Sequence, residues 1–454
     1  MRRRIAEQTV IFISVVKWIA LATIVGSIVG VSTTFFIKLL NWSIEYASAY
    51  KYYFLLMPVG FLASVLIIKL LAPEAEGHGT EKIIEAIHKR AGKIKFVVAP
   101  VKLIATIITI ACGGSAGKEG PAAQIGAAIS SKFADIFRFD KTDRKKLVIC
   151  GISAGFAAVF GTPIGGAFFG VEVLFAGSIL YEVLLPSFVA GITSYQVSTF
   201  LGLDYFHRPL DFVPVFSEAF FLKVAAAGIC FGLVSMFLIE TMAFTHRLSK
   251  RFHLHPLLKP LIGGVLLIAL TFIFSRDYLG LGIENIKLCL MGSPGPWYAF
   301  ILKIVFVSIT LGFGGSGGIV TPIFFIGATA GAAFGQLTGM DVATFAAIGF
   351  VSVLAGSANT PISASIMSVE LFGPQLAPYA TVACIISFLM TGHRSVYPSQ
   401  ILSIRKSPSV DIELGREMSS SVGHAHPRKK SFSGLLVKIG QAIKERLKRD
   451  NDSE

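Results

Sequence analysis

One acid, Glu119, stands in the run Gly117-Lys118-Glu119-Gly120-Pro121, directly before a long apolar stretch. Two others, Glu172 and Glu370, lie inside apolar runs, as Val171-Glu172-Val173 and Val369-Glu370-Leu371. Ionisable groups in such surroundings are costly to keep and are functional by default. A glycine-rich segment followed by proline is the order expected where a helix begins. The first turn of that helix presents free N–H groups and the positive end of its dipole, a combination that holds an anion without a fixed cation. A carboxylate at the same place can occupy the anion position itself, and its protonation or displacement would open the way, so Glu119 is the candidate gate. The alternative is an acid that only stabilises its own helix start. Gly117-Lys118 does not end a phosphate-cradling loop, because GxxxxGK[ST] would need glycine at Cys112 and a hydroxyl residue at Glu119.

The elements that position these acids are membrane helices. The chain has 454 residues, 53% hydrophobic and 15% charged, with a mean hydropathy of +0.70, whereas soluble domains carry about 25% charged residues. Val10 to Leu40, Tyr52 to Leu71, Phe220 to Ile239 and Leu258 to Phe274 are long enough to cross a hydrocarbon core. The first runs well past a signal-peptide core, so we expect it to be retained. The formal charge of +14 sits in short loops, one of them Lys132 to Lys146, and at both ends, including Arg2, Arg3 and Arg4. Such charge sets topology and places both termini in the cytoplasm; it does not indicate nucleic acid. Cys112, Cys150, Cys230, Cys289 and Cys384 are scattered without CxxC, which argues against a disulfide framework or a metal site. With no HExxH, GxSxG or clustered Ser/His set, an enzyme is not expected.

The chain resembles itself. Gly113-Gly114-Ser115-Ala116-Gly117-Lys118-Glu119-Gly120-Pro121 aligns without gaps to Gly314-Gly315-Ser316-Gly317-Gly318-Ile319-Val320-Thr321-Pro322, 201 positions on. Thr162-Pro163-Ile164 with Glu172 reappears as Thr360-Pro361-Ile362 with Glu370, 198 positions on. Two blocks with nearly equal offsets indicate a duplication, which we divide as 1–205 and 206–402, leaving 403–454 as a basic cytoplasmic tail. Duplicated transporters place their site where the repeats meet. Non-helical backbone at that depth survives only where it is buried or lines a cavity. Gly113 and Gly126 also fit close helix packing, but five small residues from Gly314 to Gly318 need another reason. Partial charges suit conduction, which requires binding weak enough to release.

These residues resemble the CLC family of chloride channels and chloride/proton exchangers. Gly117-Lys118-Glu119-Gly120-Pro121 is similar to that family's GKEGP motif, Gly318-Ile319-Val320-Thr321-Pro322 to its GxFxP motif, and Tyr397 in Val396-Tyr397-Pro398-Ser399 to its late pore tyrosine. The resemblance covers most of residues 10 to 402. It implies an all-α polytopic membrane fold of two inverted-topology repeats built from tilted and broken helices. It also implies a homodimer with one pathway per subunit, the transported chloride as bound substrate and no other cofactor. The N–H groups of Ile319 and Val320 would hold the anion, with Gly318, Gly117 and Lys118 around it, Tyr397 contacting it and Glu119 as gate. The tail leaves no room for the paired cytoplasmic domains of some members.

Two departures matter. Where the family often has GSGIP, this chain reads Gly77-His78-Gly79-Thr80-Glu81. His78 could donate from a ring nitrogen, and Thr80 could instead cap a helix from Glu81 to Arg90, whose acid-first, base-last order suits the dipole. Family exchangers commonly carry a second acid where this chain has Val173, which favours a channel that is not coupled to protons. Glu172, one position earlier, and Glu370 could carry a proton or hydrogen-bond buried backbone. From Ser403 through Lys430 the composition reads as a flexible link. Leu436, Ile439, Ile443 and Leu447, among Lys438, Lys444, Arg446, Lys448 and Arg449, form a basic amphipathic pattern suited to a lipid surface.

Overall fold

Helices make up most of the described residues in a computed structural model that describes residues 2–205, 217–251, 257–421 and 426–428. The first half runs through α1 (Arg2–Ser48), α2 (Met57–Leu71), α3 (Thr80–Arg90), α4 (Val98–Ala111), α5 (Glu119–Ile136), α6 (Lys141–Phe160), α7 (Pro163–Glu172) and α8 (Tyr181–Phe200). The second repeats that order as α9 (Glu218–Arg251), α10 (Leu258–Ile273), α11 (Ile283–Leu290), α12 (Ala299–Gly312), α13 (Val320–Thr338), α14 (Val342–Ala358), α15 (Pro361–Phe372) and α16 (Ala377–Met390). The two sets divide between Phe200 and Glu218. The basic pattern from Leu436 to Leu447 lies outside the described residues.

Helix length follows from composition and from what surrounds each helix. Glu7–Ser48, Tyr53–Leu71 and Glu218–Arg251 are long and apolar enough to cross a membrane, and much of each faces outward. Val320–Thr338 is also long enough, but 83% of its apolar window is buried inside the protein. The helix carrying the Gly318-Ile319-Val320 start is therefore wrapped by other helices. Close packing around it needs glycine: a Cβ at Gly327 would lie 2.3 Å from the Gly349 carbonyl oxygen, and one at Gly126 would lie 2.3 Å from that of Gly151. Gly126 thus serves helix packing as one reading of the sequence allowed. Gly113 instead adopts φ 102°, as Gly314 adopts φ 105°, because each turns the chain out of a helix.

Where the helices break, the freed backbone groups are satisfied across the two halves, as a low-dielectric interior requires. Gly117 N–H donates to the Gly318 carbonyl at 2.7 Å and Gly318 N–H donates back to Gly117 at 2.6 Å. Ser115 N–H donates to Thr310 Oγ1 (3.1 Å), and Ser316 N–H donates to Thr109 Oγ1 (3.0 Å). The acids are exchanged in the same way. Glu172, ending α7, accepts from the N–H groups of Ile362 (3.0 Å) and Ser363 (2.8 Å) at the start of α15. Glu370, near the end of α15, accepts from Ile164 (2.9 Å) and Gly165 (2.7 Å) at the start of α7. Each carboxylate neutralises the positive end of its neighbour's dipole.

Three expectations from sequence need correcting. The basic segment to Lys146 is not all loop, because α6 already begins at Lys141, capped by the Asp140 side chain accepting from Asp143 N–H at 2.7 Å. Thr80 does not cap α3: the helix includes Thr80, and the residue before it, Gly79, has φ 86° and no side chain. The segment after Ser403 folds back on the membrane body. β1 (Phe175–Ala176) pairs parallel with β2 (Ile401–Leu402), β3 (Val410–Asp411) pairs antiparallel with β4 (His426–Pro427), and a short helix, α17, spans Met418–Ser421.

The exchanged acids give the first test. Glu172→Ala and Glu370→Ala each take the acceptor from two helix-start N–H groups, so each should cost about 2–4 kcal/mol. The thermal midpoint of the detergent-purified protein should fall by similar amounts in both variants; unchanged midpoints would show that the caps contribute nothing.

Candidate anion site

Three helix starts converge because glycines let their turns touch. The turn into α3 lies on the turn into α5: a Cβ at Gly79 would be 2.5 Å from the Gly120 carbonyl oxygen, and one at Gly120 only 2.1 Å from that of His78. The turn into α13 closes on the same point, where a Cβ at Gly318 would be 2.8 Å from Gly120 N. None of the three starts has a side-chain cap from the residue before it, Gly79, Lys118 or Ile319. First-turn N–H groups and three positive dipole ends are therefore gathered in one buried region.

Glu119 answers the α13 start. It is the first residue of α5 and is fully buried. Its Oε2 accepts from Thr321 N–H at 3.0 Å, and its Oε1 accepts from the Thr321 hydroxyl. Gly117 makes room, since a Cβ there would lie 2.6 Å from Glu119 Oε2. Ile319 and Val320 open the same helix, ahead of its first turn bond from Ile323 N–H to the Ile319 carbonyl (3.0 Å). The carboxylate thus sits as an anion on an anion-binding helix start.

A second group of donors lies beside the α3 turn. Tyr397 is fully buried, and its ring centre is 5.5 Å from that of His78. Its hydroxyl neighbours that of Thr80. Apart from the approach of the two hydroxyls to each other, Tyr397 OH, Thr80 Oγ1 and His78 Nδ1 are buried without a protein hydrogen-bond partner. Such groups are expensive to strand, and three together form a donor set that suits a small anion when the imidazole carries its proton on Nδ1. The loop holding Tyr397 is anchored by the two residues that follow Pro398. Glu81, in the first turn of α3, accepts from Ser399 N–H at 3.0 Å and from its hydroxyl. Gln400 Nε2 donates to the carbonyls of Val173 (2.7 Å) and Ala358 (2.8 Å).

Gly117, Gly318, Ile319, Val320, Glu119, His78 and Tyr397 are thus brought together around these turns. Lys118 turns elsewhere, into the wall of a cavity of about 340 Å³ shared with Lys38, Trp42, Glu45 and Asp204. Val173 is fully buried, and Glu172 spends its carboxylate on α15. Sequence reasoning missed Thr321, although it aligns with Gly120 of the first repeat and so marks a hydroxyl gained at one helix start. It also missed Glu81 as the anchor of the tyrosine loop. Among the described residues no group of three or more His, Cys, Asp or Glu could hold a metal ion.

Residues 59–392 match the family described as "Voltage gated chloride channel". A chloride/fluoride channel protein of Pseudomonas syringae pv. tomato is 36% identical over 404 residues, covering 87% of this chain and 88% of that protein. The crystal structure of a CLC-type fluoride/proton antiporter superposes with a TM-score of 0.82 at 28% identity, covering 86% of this chain and 98% of the other. A slow cyanobacterial Cl⁻/H⁺ antiporter has the same fold, with a TM-score of 0.72 at 20% identity over 82% and 94% of the two chains. With broken helix starts, a buried acid and a family match over most of its length, this chain is a membrane anion-transport protein belonging to the voltage-gated chloride channel (CLC) family.

Proposed function

We propose that the protein conducts small anions, chloride and fluoride, through a pathway gated by the Glu119 carboxylate, and that passage is not coupled to protons. One observation carries this reading: Glu119 occupies the N–H and hydroxyl of Thr321, donors that would serve an incoming anion equally well. Protonated or displaced, the side chain yields its donors, and an anion can advance from the Ile319 and Val320 N–H groups. His78, Thr80 and Tyr397 supply donors beside the α3 turn. Fluoride joins chloride as a candidate because a relative 36% identical is named for both, and a strongly hydrated ion needs a dense set of strong donors to replace its water.

The uncoupled reading is supported by Val173, which has nothing to titrate, and by Glu172, whose oxygens are committed to the start of α15. The competing reading is exchange against protons, favoured by the likeness to a fluoride/proton antiporter at 28% identity. A homodimer with one pathway per subunit and cytoplasmic termini complete the proposal, the latter from the positive charge at the chain ends.

Liposomes loaded with chloride or fluoride test the gate. Glu119→Gln removes the competing anion, and flux at neutral pH should rise on the order of tenfold, since a charge-assisted hydrogen bond is worth about 1.5–3 kcal/mol. Wild-type flux should rise as pH falls and the variant's should not; identical pH profiles would rule Glu119 out. His78→Ser should alter the relative permeability of chloride, fluoride and nitrate several-fold, on the order of 1 kcal/mol for one donor, and unchanged reversal potentials in mixed anions would leave His78 a structural role. For coupling, an anion gradient should dissipate without driving protons uphill. Sustained uphill proton movement that disappears in Glu119→Gln would establish the exchanger instead.

A further inference from the structure

Tyr397 stands in no helix or strand, because the chain is irregular between the end of α16 at Met390 and the start of β2 at Ile401. Its position is therefore set by whatever holds the neighbouring peptides. Tyr397 N–H donates to Ser395 Oγ (2.9 Å), and its carbonyl accepts from Gln400 N–H (3.1 Å). The peptide joining Pro398 to Ser399 is held at both ends. Its N–H donates to Glu81 of α3 (3.0 Å), and its carbonyl accepts from Ser419 N–H (3.0 Å). A trans peptide is planar with these two groups on opposite sides, so the plane is stretched between α3 and Ser419. The proline ring fixes φ one residue after Tyr397, which leaves the tyrosine little freedom once that plane is set.

Ser419 belongs to a segment beyond the last membrane helix. Residues 415–419 run antiparallel to 398–402: Leu402 N–H donates to the Arg416 carbonyl (2.9 Å), Gly415 N–H to that of Leu402 (2.8 Å) and Met418 N–H to that of Gln400 (2.8 Å), while Glu417 bridges Ile401. Met418 is 1% exposed and packs with Ala176, Leu402 and Ile412 in a small apolar cluster separate from the main core. Glu417 pairs with Lys89, in the last turn of α3, at 2.8 Å. The helix that begins at Thr80, just after His78, and the loop that presents Tyr397 are thus tied to one strap. That strap is cheap to release, since Gly415, Arg416 and Ser419 are exposed and the Lys89–Glu417 pair is open to solvent.

We infer that residues 415–419 are a positioning strap for the anion site. Through the Ser419 N–H on the Pro398 carbonyl, and anchored by Met418, the strap sets where the Tyr397 hydroxyl stands relative to His78 and Thr80, and with it the preference among anions. The inference rests on the anion-site reading above. Hydrogen bonds weaken steeply as they lengthen or bend, and anions of different radius need the donor at different distances, so a small displacement of one hydroxyl changes their ranking.

The test is reversal potentials of the full chain in planar bilayers, in chloride/fluoride and chloride/nitrate mixtures. Ser419→Pro deletes the donor to the Pro398 carbonyl and little else, because Ser419 is the second residue of α17, where a proline φ fits. Met418→Asp removes the apolar anchor. Both should shift the permeability ratios by about fivefold, the size of one neutral hydrogen bond, in the same direction as Tyr397→Phe. Placed in the Tyr397→Phe background, each should add less than about twofold, because a missing hydroxyl cannot be displaced. If Met418→Asp cannot be recovered folded, Ser419→Pro carries the test alone. Wild-type ratios in the strap variants, or a full shift that survives in Tyr397→Phe, overturns the inference while leaving the anion site in place. A wild type that passes no anion, or wild-type ratios in Tyr397→Phe itself, overturns the anion-site reading, and the inference falls with it.

Discussion

A backbone N–H at the start of a helix has no partner within that helix, and deep in a membrane there is no bulk water to provide one. This chain starts several helices in its interior, and much of its architecture follows from finding acceptors for them. Three are answered by carboxylates from other helices. Glu172 serves α15, Glu370 serves α7 and Glu119 serves α13. The first two pairs are reciprocal between α7 and α15, and each carboxylate is held by two backbone N–H groups. Glu119 has one backbone N–H and one side-chain hydroxyl, both from Thr321, and its helix start is the one that converges with two others. In the proposed function, the same device that stabilises two helix starts permanently becomes exchangeable at the third.

Duplication explains why this arrangement is economical. The reciprocal pairs Gly117 with Gly318, Ser115 with Thr310, and Ser316 with Thr109 bind the broken segments of one half to those of the other. In the proposed function, the site comes from departures from the repeat. Thr321 replaces the equivalent of Gly120, Val320 stands opposite Glu119, and Phe325 covers the second-half turn where the first half presents His78. A symmetric scaffold that satisfies its own backbone is thereby given one asymmetric cluster of donors.

Much of this was legible in the sequence. Glu119 stood out because an acid after glycines and before an apolar run has few structural uses, and the constant offset between the halves located its counterpart helix. For Glu172 and Glu370 the sequence allows two readings, and hydrogen bonding to backbone at the starts of α15 and α7 is the one their geometry displays. Thr321 was lost among apolar neighbours, where a single hydroxyl reads as a packing residue until the acid opposite is placed in space. Fully buried Lys102 and Lys303, whose Nζ groups donate to the backbone carbonyls of Ala75 and Tyr278, were missed for a related reason: carbonyl partners carry no side-chain signature. The expected cap at Thr80 failed because Gly79 takes a left-handed φ that carries the chain into the helix one residue early. The expected flexible link failed over its described residues because Ser403 N–H donates to the Ala176 carbonyl, Lys406 Nζ to that of Phe388 and Met418 N–H to that of Gln400, contacts that composition cannot reveal.

The central claim is that a mobile anion and the Glu119 carboxylate compete for the same helix-start donors. Anomalous diffraction from crystals grown in bromide reads this directly. Wild type should show a bromide peak beside His78, Thr80 and Tyr397, and Glu119→Gln should add a second peak on the Thr321 N–H that the carboxylate has left. Bromide absent from the three-helix convergence in both proteins, or a variant with the same peaks as wild type, would contradict it.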